Sequence, residues 1–283
     1  MKISDAKILF QKELSELYPK SEVEELFSIF CEHFLNLNKI ELKINLENNL
    51  SENDLERFSN AISELKTGKP FQQIIGETEF FGMKFFVNEN VLIPRPETEE
   101  LLEFSIRKIQ SSEFRIQGLK ILDIGTGSGI IPVVLKKYFP EAEISAIDIS
   151  EKALEIAKKN AEFHKVEISF IQKDFLNGNL EEIFDIIISN PPYIGIDENP
   201  EIENSVKNFE PNIALFSPTS DTLIFYRKIA KDSEKYLSEN GMIFLEINQK
   251  LGKETLELFL GNFPETALIK DISGNDRIIF AKK

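Results

Sequence analysis

Hydrophobic positions recur with two different spacings along the chain, and the change of spacing after residue 69 divides the chain into two parts. Up to residue 69 apolar side chains recur at helical spacing, as from Val23 to Phe34. The run Ser51 to Asp54 has the pattern of a capping box at a helix start, and Gly68 and Pro70 follow where that helix should end. The pattern predicts a small helical domain over residues 1–69.

Strand-like residues replace this pattern after Pro70. The stretch Glu79 to Val87 is rich in aromatic and β-branched residues around Gly82, which predicts a β-hairpin. We interpret residues 70–92 as a hairpin linker between two domains. Pro96 is suited to the first position of a helix that follows.

From about Leu119 short apolar runs alternate with helical patterns. This alternation predicts an α/β domain over residues 93–283, with a mostly parallel sheet between helices. Four predicted strands are Lys120–Ile124, 144–147, 167–171 and 184–188. Ligands of such sheets bind where the carboxyl ends of the strands meet.

Glycines follow the first of these strands. Gly125, Gly127 and Gly129 allow positive φ and let a ligand approach the backbone at a helix start. Their spacing differs from the Gly-x-Gly-x-x-Gly of dinucleotide binders, which weighs against pyrophosphate binding. The second strand ends at Asp148, which could accept hydrogen bonds from both ribose hydroxyls. These features favour a nucleoside ligand.

Asp174 and Phe175 follow the third strand. They could meet the edge and the plane of an adenine. Alternatively, Asp174 forms a turn and Phe175 fills the core, and the two residues alone leave both interpretations open.

Ser189-Asn190-Pro191-Pro192-Tyr193 follows the fourth strand. Each proline favours an extended conformation in the residue before it, so the loop is stiff. The Asn190 side-chain carbonyl and the Pro191 backbone carbonyl could accept two N–H bonds while the Tyr193 ring packs against a plane. The predicted substrate is an amide or an exocyclic base amine, unless the motif is only a rigid turn.

Composition excludes several classes of site and partner. The net charge is −15, without a block of Lys and Arg, which disfavours nucleic acid. One cysteine, Cys31, and two histidines, His33 and His164, leave little for a disulfide, a metal site or a Ser-His-Asp triad. We expect no metal, no signal peptide or membrane span, and a monomer in the cytoplasm.

The order of these motifs resembles that of class I S-adenosylmethionine-dependent methyltransferases. It is more narrowly similar to the peptide chain release factor glutamine methyltransferases. The motifs that carry the resemblance lie at Ile93 to Glu99, Asn190 to Tyr193, Phe209 to Pro211 with Ala214-Leu215, and Asp271 to Arg277. The resemblance covers nearly the whole chain and implies a Rossmann-like methyltransferase fold with a helical N-terminal domain.

The resemblance also implies roles for single residues. Asn190, Pro191 and Tyr193 would be catalytic, and these three with Pro192 would hold the glutamine of a Gly-Gly-Gln motif in a translation release factor. S-adenosylmethionine would be bound by Gly125, Thr126, Gly127, Ser128, Gly129, Asp148, Asp174, Phe175 and Asn190.

The sequence departs from the family pattern in three places. Gln73 replaces a usual Tyr, Asn212 a frequent basic residue, and Asn248 a common Gly. Two rival functions remain: an adenine-N6 DNA methyltransferase, since adenine also offers a planar NH₂ group, and a non-catalytic S-adenosylmethionine-binding or adaptor protein. The long acidic connection from Ile194 to Phe216 is interpreted as a substrate lid.

Overall fold

The computed structural model describes residues 1–195, 198 and 203–283. The chain forms two compact units. One comprises Met1–Gly76 together with Glu203–Phe209, and the other comprises the rest of the described chain. Among the described helices, none has both the length and the apolar character needed to cross a membrane.

The first unit is helical, as its hydrophobic spacing predicts. Its core is rich in phenylalanine, with the rings of Phe10 and Phe27 5.6 Å apart. The predicted capping box is confirmed, because the Ser51 hydroxyl accepts the Asp54 N–H at 3.1 Å. The helices of the N-terminal stretch are α1 (Ile3–Leu14), α2 (Lys20–Leu35), α3 (Lys39–Ile44), α4 (Glu52–Lys66) and α5 (Phe71–Ile75).

The predicted linker over residues 70–92 is divided in the structure. Its first part is helix α5, which ends at Gly76 with φ +77° and belongs to the helical unit. The hairpin that follows consists of β1 (Glu77–Phe80) and β2 (Met83–Phe86). Phe81 and Gly82 both have positive φ, which suits the twist of a two-residue hairpin loop.

The second unit contains a seven-stranded sheet, which confirms the predicted mostly parallel α/β fold. The strand order is β5-β4-β3-β6-β7-β9-β8. The first five strands pair in parallel, and β9 runs antiparallel to both of its neighbours, β7 and β8. Its strands are β3 (Lys120–Ile124), β4 (Glu143–Asp148), β5 (Ser169–Gln172), β6 (Phe184–Ser189), β7 (Leu237–Glu246), β8 (Glu265–Lys270) and β9 (Asp276–Lys282).

Helices cover both faces of this sheet. Along β6, Ile186 and Ile188 pack into one buried apolar cluster and Ile187 into another, because successive side chains of a strand point to opposite faces. The remaining helices of the described chain are α6 (Pro96–Gln110), α7 (Ile130–Tyr138), α8 (Glu151–His164), α9 (Asn204–Phe209, in the helical unit), α10 (Asn212–Leu215), α11 (Ile224–Tyr236) and α12 (Gly252–Glu257).

The predicted lid lies partly outside the described residues, at 196, 197 and 199–202. The two ends of this connection are paired in the structure. Ile194 donates its N–H to the Leu215 carbonyl at 3.1 Å, and Ser217 donates to the Ile194 carbonyl at 2.9 Å. The two ends of the connection are therefore held together by backbone hydrogen bonds.

Candidate active site

A cavity of about 430 Å³ lies at the carboxyl ends of β3, β4 and β6. Its wall includes most of the residues that the sequence predicts for a ligand site: Gly125, Thr126, Gly127, Ser128, Asp148, Asp174, Phe175, Asn190 and Pro192. Three predicted residues, Gly129, Pro191 and Tyr193, are not on this wall. The parallel strands thus bring loops distant in sequence to one side of the sheet.

The glycine loop connects β3 to α7 with its backbone in the left-handed region. Gly125, Gly127 and Gly129 have φ of +73°, +54° and +77°. A Cβ at Gly129 would lie 2.8 Å from the Cβ and 2.9 Å from the Cα of Ala157. Gly129 therefore permits the close packing of the loop on α8.

Asp148 holds the loop in place from the end of β4. Its Oδ2 accepts the Gly127 N–H at 2.9 Å, and its Oδ1 accepts the Ser150 N–H at 2.9 Å. Burial raises the pKa of this carboxyl, and the backbone N–H bonds offset the rise only in part. Each oxygen keeps a further lone pair, so the carboxylate can still accept hydroxyl groups of a ligand.

Asp174 and Phe175 combine both interpretations that the sequence leaves open. Asp174 forms a turn, with Oδ1 accepting the Leu176 N–H at 3.0 Å and Oδ2 accepting the Asn177 side-chain amide at 2.8 Å. The bond from Asn177 lowers the pKa of Asp174. Phe175 is buried in the apolar core, yet both residues also face the cavity.

Asp123 is a buried acidic residue next to the site that the sequence analysis missed. It lies in β3, two residues before the glycine loop, is not on the cavity wall, and has the Thr126 hydroxyl as a neighbour that partly opposes the effect of burial on its pKa. Burial raises its pKa to about 7. An acidic residue inside an otherwise apolar strand was the available signal.

A chain of hydrogen bonds runs from Asn190 through Thr98, which also lines the cavity, to the buried Glu246. The Asn190 side-chain NH₂ donates to Thr98 Oγ1 at 3.1 Å, and Thr98 Oγ1 donates to Glu246 Oε2 at 2.7 Å. The Tyr193 hydroxyl donates to Glu246 Oε1 at 3.3 Å. Glu246 is 1% exposed, and burial raises its pKa to about 7. Tyr193 thus contacts Glu246 rather than lining the cavity.

A buried ion pair joins the motif at Ile93 to Glu99 to the motif at Phe209 to Pro211, both of which carry the resemblance to the methyltransferase family. Arg95 Nη2 donates to Glu210 Oε1 at 2.5 Å, and the Ile93 N–H donates to Glu210 Oε2 at 3.0 Å. The Glu210 side chain is 1% exposed. Since Pro94 and Asn212 line the cavity beside these residues, the pair fixes two of its walls to each other.

The three departures from the family pattern have identifiable surroundings. Gln73 donates to the Phe209 carbonyl at 2.8 Å within the helical unit, and Asn212 lies on the cavity wall. Asn248 donates to Glu198 Oε1 at 3.1 Å and to the Tyr193 carbonyl at 3.4 Å. Asn248 therefore ties the end of β7 to the Asn190 loop, which a glycine could not do.

Residues outside the cavity offer little alternative chemistry. Cys31 is buried, and burial raises its thiol pKa to about 12, so it is not a nucleophile at neutral pH. His164 bonds the Lys84 carbonyl at 2.7 Å at the end of α8. Within the described ranges, no group of three or more His, Cys, Asp or Glu side chains is placed to hold a metal ion.

Two family models match the chain. "Methyltransferase small domain" matches residues 105–206, and "PrmC N-terminal domain" matches residues 6–76. The chain is also similar in fold to the hMettl16 catalytic domain, with a TM-score of 0.51, 16% identity and 82% of each chain covered. A T. thermophilus 16S rRNA N2 methyltransferase solved with AdoMet and guanosine gives a TM-score of 0.51 and 18% identity, covering 73% of this chain and 49% of that one.

Several relatives cover almost the full length of this chain. A release factor glutamine methyltransferase of Flavobacterium psychrophilum is 46% identical over 99% of this chain and 98% of its own. One of Bacteroides thetaiotaomicron is 37% identical over 96% of this chain and 97% of its own. Similarity of this extent, over both units, shows that the chain belongs to the family of release factor glutamine methyltransferases.

Proposed function

We propose that the protein transfers a methyl group from S-adenosylmethionine to the side-chain amide nitrogen of the glutamine in the Gly-Gly-Gln loop of a translation release factor. The observation that carries this proposal is the position of Asn190. Its side chain lies on the wall of the same cavity as the glycine loop and Asp148, so an acceptor group and a nucleoside site are adjacent. The names of the full-length relatives specify glutamine and release factors.

The cavity suits S-adenosylmethionine in shape. Gly125 and Gly127 have no side chains to obstruct a ligand, and a Cβ at either position would meet nothing within 4 Å. Asp148 would accept the ribose hydroxyls. Phe175 would pack on the adenine, beside the apolar wall residues Ile130 and Ile149.

The amide nitrogen of glutamine is a poor nucleophile because its lone pair is delocalised. Deprotonating it fully would need a stronger base than any side chain at this site. Catalysis therefore depends on orientation and electrostatics. When bound, the cofactor supplies an electrophilic methyl group on a sulfonium.

The chain's own residues hold the amide in position. Asn190 Oδ1 and the Pro191 carbonyl accept its two hydrogens, which increases electron density on nitrogen and directs the lone pair toward the methyl group. The amide proton leaves during or after transfer. Pro191 is buried and its ring fixes φ, so its carbonyl needs little reorganisation.

The helical unit is the proposed substrate-recognition domain. Family similarity extends over it, at residues 6–76, and it includes Glu203–Phe209, which follows the acceptor loop in the chain. We assign the protein to the cytoplasm, where translation factors act, and expect it to act as a monomer. The charge of −15 disfavours a nucleic-acid partner.

Methyl transfer from labelled S-adenosylmethionine tests this function with three acceptors. They are a release factor, the same factor with the Gly-Gly-Gln glutamine changed to alanine, and duplex DNA. The proposal requires label on the first acceptor only. Equal labelling of both release-factor forms would contradict it, and labelling of DNA would instead favour an adenine methyltransferase.

A further inference from the structure

The orientation of the Asn190 side-chain amide decides what the cavity offers to a substrate. Its carbonyl oxygen and its NH₂ group have nearly the same shape, so packing alone does not distinguish the two orientations. Only the orientation with Oδ1 toward the substrate presents an acceptor. The reverse orientation would place two donors against the N–H groups of a glutamine amide. The following inference rests on the proposed function.

The bonds behind Asn190 select one orientation. An ionised carboxylate can only accept hydrogen bonds, so Glu246 Oε2 takes the single proton of the Thr98 hydroxyl at 2.7 Å. Thr98 then has only lone pairs for its other neighbour. Asn190 must therefore direct its NH₂ group toward Thr98, at 3.1 Å, and turn Oδ1 away from it.

Burial strengthens this selection. Thr98 is 2% exposed and Glu246 1%, so water does not compete for their bonds. In the reversed orientation Asn190 Oδ1 would face the lone pairs of Thr98, and no donor would lie between the two oxygens. Glu246 Oε1 also accepts the Tyr193 hydroxyl at 3.3 Å, so one carboxylate secures both Asn190 and Tyr193.

We infer that Thr98 and Glu246 are positioning residues for glutamine methylation, which fix the Asn190 amide with its carbonyl oxygen toward the substrate. Neither residue carries out the chemical step. Thr98 belongs to the first turn of α6 and Glu246 ends β7, so two separate elements meet behind the loop that follows β6.

Protonation of Glu246 would remove the preference for one orientation of the Asn190 side chain. Burial raises its pKa to about 7, with Arg277 and the hydroxyls of Thr98 and Tyr193 opposing the rise and Glu97 adding to it. The Tyr226 hydroxyl donates to the backbone carbonyl of Glu246 at 3.0 Å. A protonated Glu246 can donate to Thr98, which frees the Thr98 proton and permits both Asn190 orientations. Turnover should therefore fall as pH decreases through about 7.

The orientation can be measured without cofactor or substrate. In a ¹⁵N-labelled protein, the side-chain NH₂ signals of Asn190 are assigned by their loss in Asn190→Asp. Thr98→Val removes the hydroxyl with little change of shape, and Thr98→Ser keeps it. We expect NH₂ exchange with water at fixed pH to be at least about fivefold faster in Thr98→Val than in wild type, and near wild type in Thr98→Ser.

Kinetics supply the second readout. Thr98→Val should lower kcat while leaving the KM for S-adenosylmethionine nearly unchanged, and Thr98→Ser should restore most of kcat. In Glu246→Gln the decline of kcat below pH 7 should disappear. The matched control is Ser105→Ala, on the same helix, which removes a buried hydroxyl bonded to the Leu102 carbonyl at 2.9 Å and should leave kcat and its pH profile unchanged.

The outcomes separate this inference from the proposed function. If the Asn190 NH₂ group of Thr98→Val exchanges with water at the wild-type rate, the inferred orientation of Asn190 is wrong. An unchanged kcat for Thr98→Val in an otherwise active protein overturns the positioning role alone. Failure of the wild type to methylate glutamine overturns the proposed function and the catalytic part of the inference, while the exchange rates still decide how Asn190 is oriented.

Discussion

Asp148 has a structural role in the glycine loop and also lies on the cavity wall. Both of its oxygens accept backbone N–H groups, one from the glycine loop and one from Ser150 at the start of α8. The same carboxylate lies on the cavity wall, where it can accept hydroxyl groups through its other lone pairs. Its removal should therefore affect both the loop and the ligand.

Asp148→Ala should weaken S-adenosylmethionine binding at least about tenfold. A hydrogen bond to a charged acceptor contributes about 1.5–3 kcal/mol, and about 1.4 kcal/mol corresponds to a tenfold change in Kd. Titration calorimetry measures the change directly.

The matched control is Asp185→Ala. Asp185 also accepts two bonds, from the Lys120 N–H at 2.9 Å and the Ser238 hydroxyl at 2.7 Å, but near the amino end of β6. Both variants should lose stability, whereas only Asp148→Ala should lose affinity. Equal Kd values for the two variants would contradict the ribose assignment.

At the residue scale, the sequence predicted the residues at the strand ends but not the side chains that hydrogen-bond to them. Asp148 and Asn190 follow apolar strands, so the pattern places them at the edge where ligands bind. Thr98 and Glu246 lie 92 and 56 positions from Asn190 in the chain. Their contact depends on the order of the strands in the sheet, which local spacing does not encode.

At the scale of elements, the packing of the glycine loop on α8 depends on one missing side chain. Gly129 combines φ +77° with a backbone neighbour, because its Cβ would lie 2.9 Å from the Cα of Ala157. Gly118 has nearly the same φ, +78°, but nothing lies within 4 Å of the position of its Cβ. Comparing substitutions at these two glycines therefore separates the effect of steric conflict from that of backbone strain.

Gly129→Ala should therefore reduce the free energy of unfolding by about 1–3 kcal/mol more than Gly118→Ala. Both substitutions carry the cost of a left-handed alanine, about 1–2 kcal/mol. Denaturant unfolding of the two variants measures the difference. Equal losses would show that the loop can move away from α8 at little cost.

The elements themselves were largely predictable from local chemistry. The Ser51 capping box, the hairpin around Gly82 and β3 all follow from turn residues or hydrophobic spacing. Helix α5 was missed because its five residues are too few to show a helical period, and Pro70 before it suggests only a chain break. The third strand begins at Ser169, two residues later than predicted, where it pairs with Ser145 of β4.

At the scale of the whole molecule, the sheet assembles one site from distant parts of the sequence. Parallel pairing of β3 with β4 and β6 brings the glycine loop, Asp148 and Asn190 to the same edge. The Arg95–Glu210 pair joins the chain before α6 to the chain before α10. The residues proposed to hold the cofactor and the acceptor amide are thus brought together by the sheet and its connections.

The most direct test of the account is the position of the transferred methyl group. A release factor incubated with S-adenosylmethionine and this protein is cleaved, and fragment mass spectrometry locates the added mass. The account predicts one methyl group on the glutamine side chain of the Gly-Gly-Gln loop, added on the order of a hundredfold more slowly by Asn190→Ala. A methyl group on any other residue, or an Asn190→Ala variant as fast as wild type, would contradict it.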